Sequence, residues 1–248
     1  MHENIRSFGK IFDEFHSFAS ELNHAAGVIV FSKTWFSANT CHGVQGYTGF
    51  HTYRADETGG GVSVFIRNCY TSTHMAKFSV CHAYYEISVA KVSLSNNCTI
   101  IIIGVYRPPD KSKIPEFTIK LNEILLSTSQ YDHVFIVGDR NINLLDPIAI
   151  ENDFINNCHS NSLIPLINKP TRNANNNPSI PDHIWSNQLY DTFSGIFIRY
   201  NRSLPNIYHC PNQLSSEANS CKIYRSFRTE FSYNLKLMYN IISTIMLK

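Results

Sequence analysis

One carboxylate and one carboxamide stand two positions apart where an apolar segment ends. Asp139 and Asn141 follow Gly138 and the run Val134–Val137, which has the composition of a buried strand. In extended backbone, residues two apart face the same way, so the two side chains would converge. A carboxylate and an amide in that arrangement suit a hard cation and a phosphate oxygen. The alternative is that Asp139 caps the following turn and that Asn141 is an ordinary loop residue.

Two further segments place polar groups beside apolar runs. Tyr106 and Arg107 follow the run Ile100–Val105 and precede two prolines, which restrict the backbone. The guanidinium would form two parallel hydrogen bonds to a phosphate, and the phenol would add one more. The alternative is a strand end with a surface arginine. In the third segment, Arg172 is followed by Asp182, which precedes a short apolar strand.

The elements that must position these groups alternate between strand and helix patterns. We predict buried strands at Val28–Phe31, Val62–Ile66, Thr99–Val105 and Val134–Val137, a half-exposed strand at His82–Leu94, and helices at Phe8–Asn23 and Ile114–Leu126. Several of the strands are apolar on both faces, which is typical of sheets covered by helices. The sequence therefore predicts an α/β fold.

The composition is that of one folded domain. The chain has 248 residues, is 43% hydrophobic and carries a net charge of +2, which excludes global disorder and a strongly basic, histone-like binder. Its seven cysteines form no C-x-x-C pair, which favours a reducing compartment. We see no signal peptide, and no apolar run approaches the roughly 20 residues that span a bilayer. We therefore expect an intracellular protein that is neither secreted nor embedded in a membrane.

Seven ordered motifs together carry a resemblance to a known family. They are Asn4-Ile5-Arg6-Ser7, Lys33-Thr34-Trp35, Gly59-Gly60-Gly61-Val62, Tyr106-Arg107-Pro108-Pro109, Gly138-Asp139-Arg140-Asn141, Pro170-Thr171-Arg172 and Asp182-His183-Ile184. With them the chain resembles the endonuclease/exonuclease/phosphatase superfamily, and more narrowly the endonuclease domain of LINE-type, jockey-like (non-LTR) retrotransposons. The resemblance spans about residues 1–208 and leaves 209–248 as an unassigned tail.

The resemblance implies a fold, an activity and a partner. The fold is a four-layer α/β sandwich, in which two mixed sheets lie face to face between helices. The first strand is truncated here, which would hold Asn4 loosely. Members of the family hydrolyse phosphodiesters with a divalent metal, usually Mg²⁺. In the retrotransposons the domain nicks chromosomal DNA to prime reverse transcription, which implies DNA as partner and a nuclear location. We expect the parent reverse transcriptase to be absent from this chain.

The resemblance also assigns roles to residues of this sequence. Asn4 and Asp139 would hold the metal or phosphate, and Asp139 would position or activate the attacking water. Asn141 would stabilise the phosphate oxyanion. Asp182 would orient a catalytic histidine. Contacts to phosphate and DNA would come from Tyr106, Arg107, Asn141 and Arg172.

Three positions depart from the family pattern. Lys33 stands where the family has a metal-binding glutamate, and an ammonium has no lone pair to offer and repels the cation. We hypothesise that Lys33 instead acts as an internal counter-charge to Asp139. If Leu204-Pro205 anchors the last motif, Arg202 and Ser203 replace the catalytic aspartate and histidine, and Asp182 has no histidine to orient.

These departures leave two alternative functions. One is a Mg²⁺-dependent DNA endonuclease of retrotransposon origin. The other, which we favour, is a catalytically impaired relic that at most binds DNA, because loss of a metal ligand and a general base lowers the rate by orders of magnitude. A phosphoinositide phosphatase or a sphingomyelinase of the same superfamily is less favoured by the Tyr106 and Thr171 motifs. In either case, one end of the two sheets should gather Asn4, Lys33, Asp139, Asn141, Asp182 and Ser203.

Overall fold

Short apolar segments near the N-terminus form the first of two β-sheets. The computed structural model describes residues 1–10, 15, 26–55, 59–94, 97–145, 147–174 and 177–188, and the backbone of 192–199 and 202–209. Sheet 1 has the strand order β1-β2-β4-β3, in which only the β1–β2 pair is parallel. Its strands are β1 His2–Asn4, β2 Val28–Ser32, β3 Tyr47–Thr52 and β4 Val62–Arg67.

The second sheet contains the most apolar run of the sequence at its centre. Sheet 2 has the order β10-β13-β9-β8-β7-β5, with β6 also paired to β7, and only β8 and β9 are parallel. Its strands are β5 Thr71–His74, β6 Val80–His82, β7 Tyr85–Ser93, β8 Thr99–Tyr106, β9 His133–Asp139, β10 Ile164–Pro165 and β13 Asp182–Ser186.

The remaining described elements are two hairpins and short helical segments. The hairpins pair β11 Arg172–Ala174 with β12 Asn177–Ser179, and β14 Thr192–Arg199 with β15 Arg202–His209. The helices are α1 Ile114–Thr128 and α2 Ala149–Ser160, with 3₁₀ turns at Ala76–Phe78 and Lys111–Lys113. Residues 8–10 and 15 are helical as well. No helix among the described residues is long and apolar enough to cross a membrane.

Side chains of β8 show why this run is apolar on both faces. Ile102 lies in the core between the sheets, with Val30 and Val64 of sheet 1. Ile103 faces the other way, into the core that sheet 2 shares with Phe117 of α1. A third core covers the outer face of sheet 1 and is formed by Ile5, Phe8, Phe15, Ile29, Phe31, Phe36 and Phe65. The order is therefore helix, sheet, sheet, helix, which confirms the four-layer α/β sandwich.

The predicted strands and the predicted helix at Ile114 are confirmed, whereas the interpretation of His82–Leu94 as one half-exposed strand is wrong. The segment forms β6 and then the nearly fully buried β7. Its polar residues suggested an exposed face, but they are buried and have hydrogen-bond or ion-pair partners. Glu86 pairs with Arg54, and Ser88 donates a hydrogen bond to the Phe50 carbonyl oxygen at 3.1 Å.

Two sequence predictions concern residues that the structure covers only in part. The predicted helix Phe8–Asn23 lies mostly outside the described residues. The tail at 209–248 lies outside them except for the backbone of His209, so the division at residue 208 stays a prediction.

Gly138 sets the register that places Asp139. Its φ is +148°, and a Cβ at this position would lie 1.8 Å from the backbone oxygen of Val105 in β8. Only glycine permits this approach. The approach keeps β8 and β9 in the register in which Tyr106 stands beside Asp139.

We expect Gly138→Ala to lower the free energy of unfolding by at least about 2 kcal/mol, from steric overlap and backbone strain together. Urea denaturation would measure this. Gly43→Ala is the matched control, because no atom lies within 4 Å of its added Cβ. Equal stability of the two variants would contradict this account of the register.

Candidate functional site

The ends of five strands meet at one edge of the two sheets. Asn4 ends β1 and Asp139 ends β9, and the Asn4 amide donates a hydrogen bond to Asp139 Oδ2 at 2.5 Å, from one sheet to the other. Strand pairing places Tyr106 and Asp182 on either side of Asp139. Asn4, Lys33, Asp139, Asn141 and Asp182 therefore lie together, as the sequence predicted. The side chain of Ser203 is outside the described residues.

The short first strand is held more firmly than the sequence suggested. β1 pairs in parallel with β2, and the Met1 amino group donates a hydrogen bond to the Val28 carbonyl oxygen at 2.8 Å. The Val30 amide donates in turn to the Met1 carbonyl oxygen at 2.8 Å. The expectation that Asn4 is loosely held is therefore wrong, because backbone pairing fixes the strand that carries it.

Lys33 occupies the centre of this site. Its Nζ lies 2.8 Å from Asp139 Oδ2 and 5.1 Å from the centre of the Tyr106 ring. The residue has a positive φ of 60°, and its amide donates to the Gly61 carbonyl oxygen at 2.8 Å. The counter-charge to Asp139 that we hypothesised from the sequence is thus present in the structure.

These contacts do not fit a resident Mg²⁺ ion. Asp139 Oδ2 accepts from both the Lys33 ammonium and the Asn4 amide, and Oδ1 accepts from the Asn141 backbone amide at 3.2 Å. No group of three or more His, Cys, Asp and Glu side chains among the described residues is arranged to hold a metal. Mg²⁺ requires free oxygen ligands in an octahedron. Here a fixed cation already neutralises the carboxylate, so the expectation of Mg²⁺ finds no matching ligand set.

Tyr106 retains its proton at neutral pH. Burial and the nearby carboxylates of Asp139 and Glu86 raise the pKa of Tyr106 to about 12. The side chain is 8% exposed. A protonated phenol at this edge is a hydrogen-bond donor suited to a phosphate oxygen.

Arg107 holds two loops together in the interior. It is fully buried, and its guanidinium donates to the carbonyl oxygens of Arg140 at 2.9 Å, Asp110 at 2.6 Å and Asn141 at 3.1 Å. This arrangement differs from the expected phosphate contact. The physical reason is that chain reversals after β8 and β9 leave buried carbonyl groups that need donors.

Asn141 also helps to hold together the loops that follow β8 and β9. Its φ is +50°, so it does not continue the extended backbone that would align its side chain with that of Asp139. Its amide donates to the Arg107 carbonyl oxygen at 2.7 Å. Together with its backbone bond to Asp139 Oδ1, this is the turn-capping arrangement that we considered as the alternative for this segment.

Asp182 faces a histidine that the sequence analysis missed. Its Oδ2 accepts from Thr171 Oγ1 at 2.9 Å, and its Oδ1 lies 3.7 Å from His2 Nδ1. His2 Nε2 is 2.9 Å from Ser32 Oγ, and that hydroxyl donates to the Val105 carbonyl oxygen. The signal was available, because His2 lies two positions before Asn4 on the same strand and therefore faces the same way.

Asp182, His2 and Ser32 contact one another in the order of an Asp-His-Ser catalytic triad. In a catalytic triad, however, the serine hydroxyl is accessible to substrate. His2 and Ser32 have no exposed surface, so no substrate can reach the hydroxyl. Burial lowers the pKa of His2 well below its usual value, so the ring stays neutral. This row of residues therefore connects sheet 1 to sheet 2 and is not a nucleophile.

A second cation, Arg140, lies near the two aspartates. Arg140 is fully buried, with its guanidinium 5.8 Å from the centre of the Phe154 ring. Burial lowers the pKa of Arg140 to about 10, which leaves it charged at neutral pH. The charges of Asp139 and Asp182 act to raise the pKa of Arg140. Lys33 and Arg140 thus supply a local positive charge that would otherwise have to come from outside.

The remaining predicted site residues lie at the rim or beyond the described side chains. Arg172 begins β11 and is exposed, and its charge acts to lower the pKa of Asp182. Arg202 and Ser203 begin β15, whose backbone runs near β1 and β13. Which side chain of β15 faces the site is not described, so their replacement of the family's aspartate and histidine stays a prediction.

Asp182 should make stability depend on pH. Burial and the Asp139 charge raise its pKa from 3.8 to about 8, so the folded protein holds a proton that the unfolded chain releases near pH 4. This contribution to stability is complete below pH 4 and is lost as pH rises to about 8, by up to about 1.4 kcal/mol per pH unit. We expect Asp182→Asn, which imitates the neutral acid, to gain stability relative to the native chain across that range.

Urea denaturation of both proteins at several pH values measures that difference. Titrating groups that do not interact with Asp182 are common to both, so their contributions cancel. A stability difference that stays constant from pH 4 to pH 8 would contradict the protonated state of Asp182.

Comparison with known proteins addresses the fold. No protein-family model matches the chain, and no curated protein matches it. Among solved structures, the endonuclease domain of TRAS1, a telomere-specific non-LTR retrotransposon, has a TM-score of 0.66 at 12% identity, covering 82% of this chain and 93% of that chain. The 3′-5′ exonuclease NExo from Neisseria meningitidis has a TM-score of 0.60 at 11% identity, covering 84% and 98%.

A third similar structure carries the family name itself. It is an endonuclease/exonuclease/phosphatase family protein from Leptotrichia buccalis, with a TM-score of 0.59 at 12% identity, covering 84% of this chain and 98% of that chain. The likeness extends over nearly the whole of each of these three structures. The chain therefore has the endonuclease/exonuclease/phosphatase fold that the resemblance implied.

Proposed function

We propose that this chain is a DNA-binding protein derived from a retrotransposon endonuclease, and that its capacity to cleave phosphodiesters is impaired. The observation that carries this proposal is the Lys33 ammonium, 2.8 Å from Asp139 Oδ2. An ammonium can neutralise a phosphate, but it has no lone pair and cannot bind and ionise a water molecule as a catalytic metal does.

Groups suited to binding phosphate lie beside this ion pair and on the adjoining segments. The Tyr106 phenol is protonated, and the Lys33 side chain is 18% exposed. Arg6, Lys10 and Arg172 are exposed cations on segments that lead to or from the site. Contacts of this kind go to the DNA backbone and position a protein on DNA without reading sequence. Arg107 contributes by holding the loops after β8 and β9, because its guanidinium is bound to their carbonyl oxygens and is not available to a phosphate.

The acid–base part of the family chemistry is also weakened. The histidine beside Asp182 is His2, which is buried and cannot reach a phosphate. We propose that Ser203 stands where the family has its catalytic histidine. A general base contributes typically 10²–10⁴-fold to a rate, so its loss adds to the loss of the metal ligand. DNA binding would survive both losses because charge alone supports it.

Magnesium should distinguish this site from a metal-binding one. We expect Mg²⁺ to change the Tm of the native chain by less than about 1 °C, because Lys33 already neutralises Asp139. Lys33→Glu should be less stable in EDTA, since two carboxylates then face each other. Saturating Mg²⁺ should raise the Tm of this variant by at least about 3 °C. Thermal unfolding with and without the metal measures both effects.

Lys77→Glu is the matched control, because it makes the same charge change at an exposed position of the 3₁₀ turn beside sheet 2. It should show no response to Mg²⁺. If the native chain gains as much from Mg²⁺ as Lys33→Glu does, the internal counter-ion does not replace the metal.

A plasmid assay tests the functional proposal directly. We expect the native chain to bind supercoiled plasmid equally in EDTA and in Mg²⁺ and to nick it no faster than a protein-free control. Lys33→Glu combined with Arg202→Asp and Ser203→His should nick in Mg²⁺, because it restores the missing groups. Nicking by the native chain that Asp139→Asn abolishes would overturn the proposed impairment, and no binding in either buffer would overturn the DNA-binding proposal.

A further inference from the structure

Trp35 is an exposed aromatic residue at the rim of the site. Its neighbours Thr34 and Phe36 are 1% and 3% exposed, yet the indole itself is 41% exposed. A single exposed apolar residue is common on protein surfaces and needs no explanation by itself. Trp35 differs because it lies two positions after Lys33, the residue that reaches Asp139, in the connection between β2 and β3.

The backbone of this loop fixes the indole in its outward position. Trp35 has a φ of +55°, which is a rare conformation for a bulky residue. Its amide donates to the Gly60 carbonyl oxygen at 3.1 Å, and the Lys33 amide donates to that of Gly61. Such strain persists only where the surroundings hold it in place. The loop thereby directs the ammonium of Lys33 into the site and the indole of Trp35 toward solvent.

One ammonium group lies over the indole and another belongs to a residue close to it in the chain. The Lys10 ammonium is 5.7 Å from the centre of the Trp35 ring, and Lys33 is two residues away along the chain. The Cα atoms of Lys33 and Trp35 lie at most about 7 Å apart and their side chains extend further from there, a distance that a few nucleotides of a single strand can bridge. A strand whose phosphate lies at Lys33 could therefore place the base of a neighbouring nucleotide over the indole.

Other exposed aromatic side chains lack this setting. Tyr84 lies directly before β7, outside the connection that carries Lys33. Tyr70 is 39% exposed, but it lies in the connection between β4 and β5 and not in the loop that carries Lys33. The second tryptophan, Trp185, is fully buried in β13 beside Phe154.

We propose that the Trp35 indole is a stacking platform for an unpaired DNA base, next to a backbone phosphate held at Lys33. This inference rests on the proposed DNA binding and adds to it a residue and a preference for single-stranded or unstacked DNA. Stacking between a base and an aromatic side chain requires only an exposed ring face and tolerates every base. The neighbouring ammonium groups add attraction for the phosphates on either side.

Intrinsic fluorescence gives a selective readout, because the chain has two tryptophans and Trp185 is fully buried. The protein would be titrated with a single-stranded thymidine oligonucleotide and with an abasic oligonucleotide that has the same number of phosphates. We expect the thymidine strand to quench the emission and the abasic strand to leave it nearly unchanged. Trp35→Phe, which retains a stacking ring, should lose the quenching but keep its affinity.

Affinity measured by anisotropy of a labelled strand completes the test. Trp35→Ala should bind the thymidine strand about 10-fold more weakly and the abasic strand with unchanged affinity. Tyr70→Ala, which removes an aromatic ring of similar exposure, should bind both strands as the native chain does. If Trp35→Ala binds the thymidine strand as tightly as the native chain, the stacking inference fails while DNA binding stands. If the native chain binds neither strand, the proposed function itself fails.

Discussion

The ion pair between Lys33 and Asp139 is the interaction on which the arrangement of the site depends. Lys33 follows the end of β2 in one sheet and Asp139 ends β9 in the other, so the pair spans the interface between the two sheets. Asp139 is only 1% exposed. A carboxylate buried to that degree needs a partner, because an uncompensated buried charge is strongly destabilising. Lys33 supplies that charge from within the chain.

The polar groups next to this ion pair are arranged so that buried donors, acceptors and charges find partners. The Asn4 side chain and the Asn141 backbone amide also donate hydrogen bonds to Asp139. Arg107 is drawn inward to the carbonyl groups of the adjoining loops. Asp182, placed next to Asp139 by strand pairing, takes up a proton because two neighbouring carboxylates cannot both ionise easily in the interior. The charge of Asp139 is thus compensated within the chain, without an external cation.

The fold can persist while the chemistry changes because different residues determine the two. The four layers depend on apolar side chains such as Ile102, Ile103 and Phe117, which lie in the cores between layers. The chemistry depends on a few polar side chains at the strand ends, and their replacement leaves those cores intact. Similarity of fold to nucleases is therefore compatible with an altered site, and function has to be argued from the site itself.

Apolar periodicity, which is a local signal, predicted an α/β fold and most strand positions, and the resemblance carried by the ordered motifs implied the four layers and the group of residues at the sheet edge. The sequence also indicated that Lys33 would face Asp139. Only the tertiary structure decided the direction of Arg107, the left-handed turn at Asn141, the burial of β7 and the pairing of Asp182 with His2. Each of these depends on which polar groups become buried next to one another, and strands far apart in the chain determine that only when they pair.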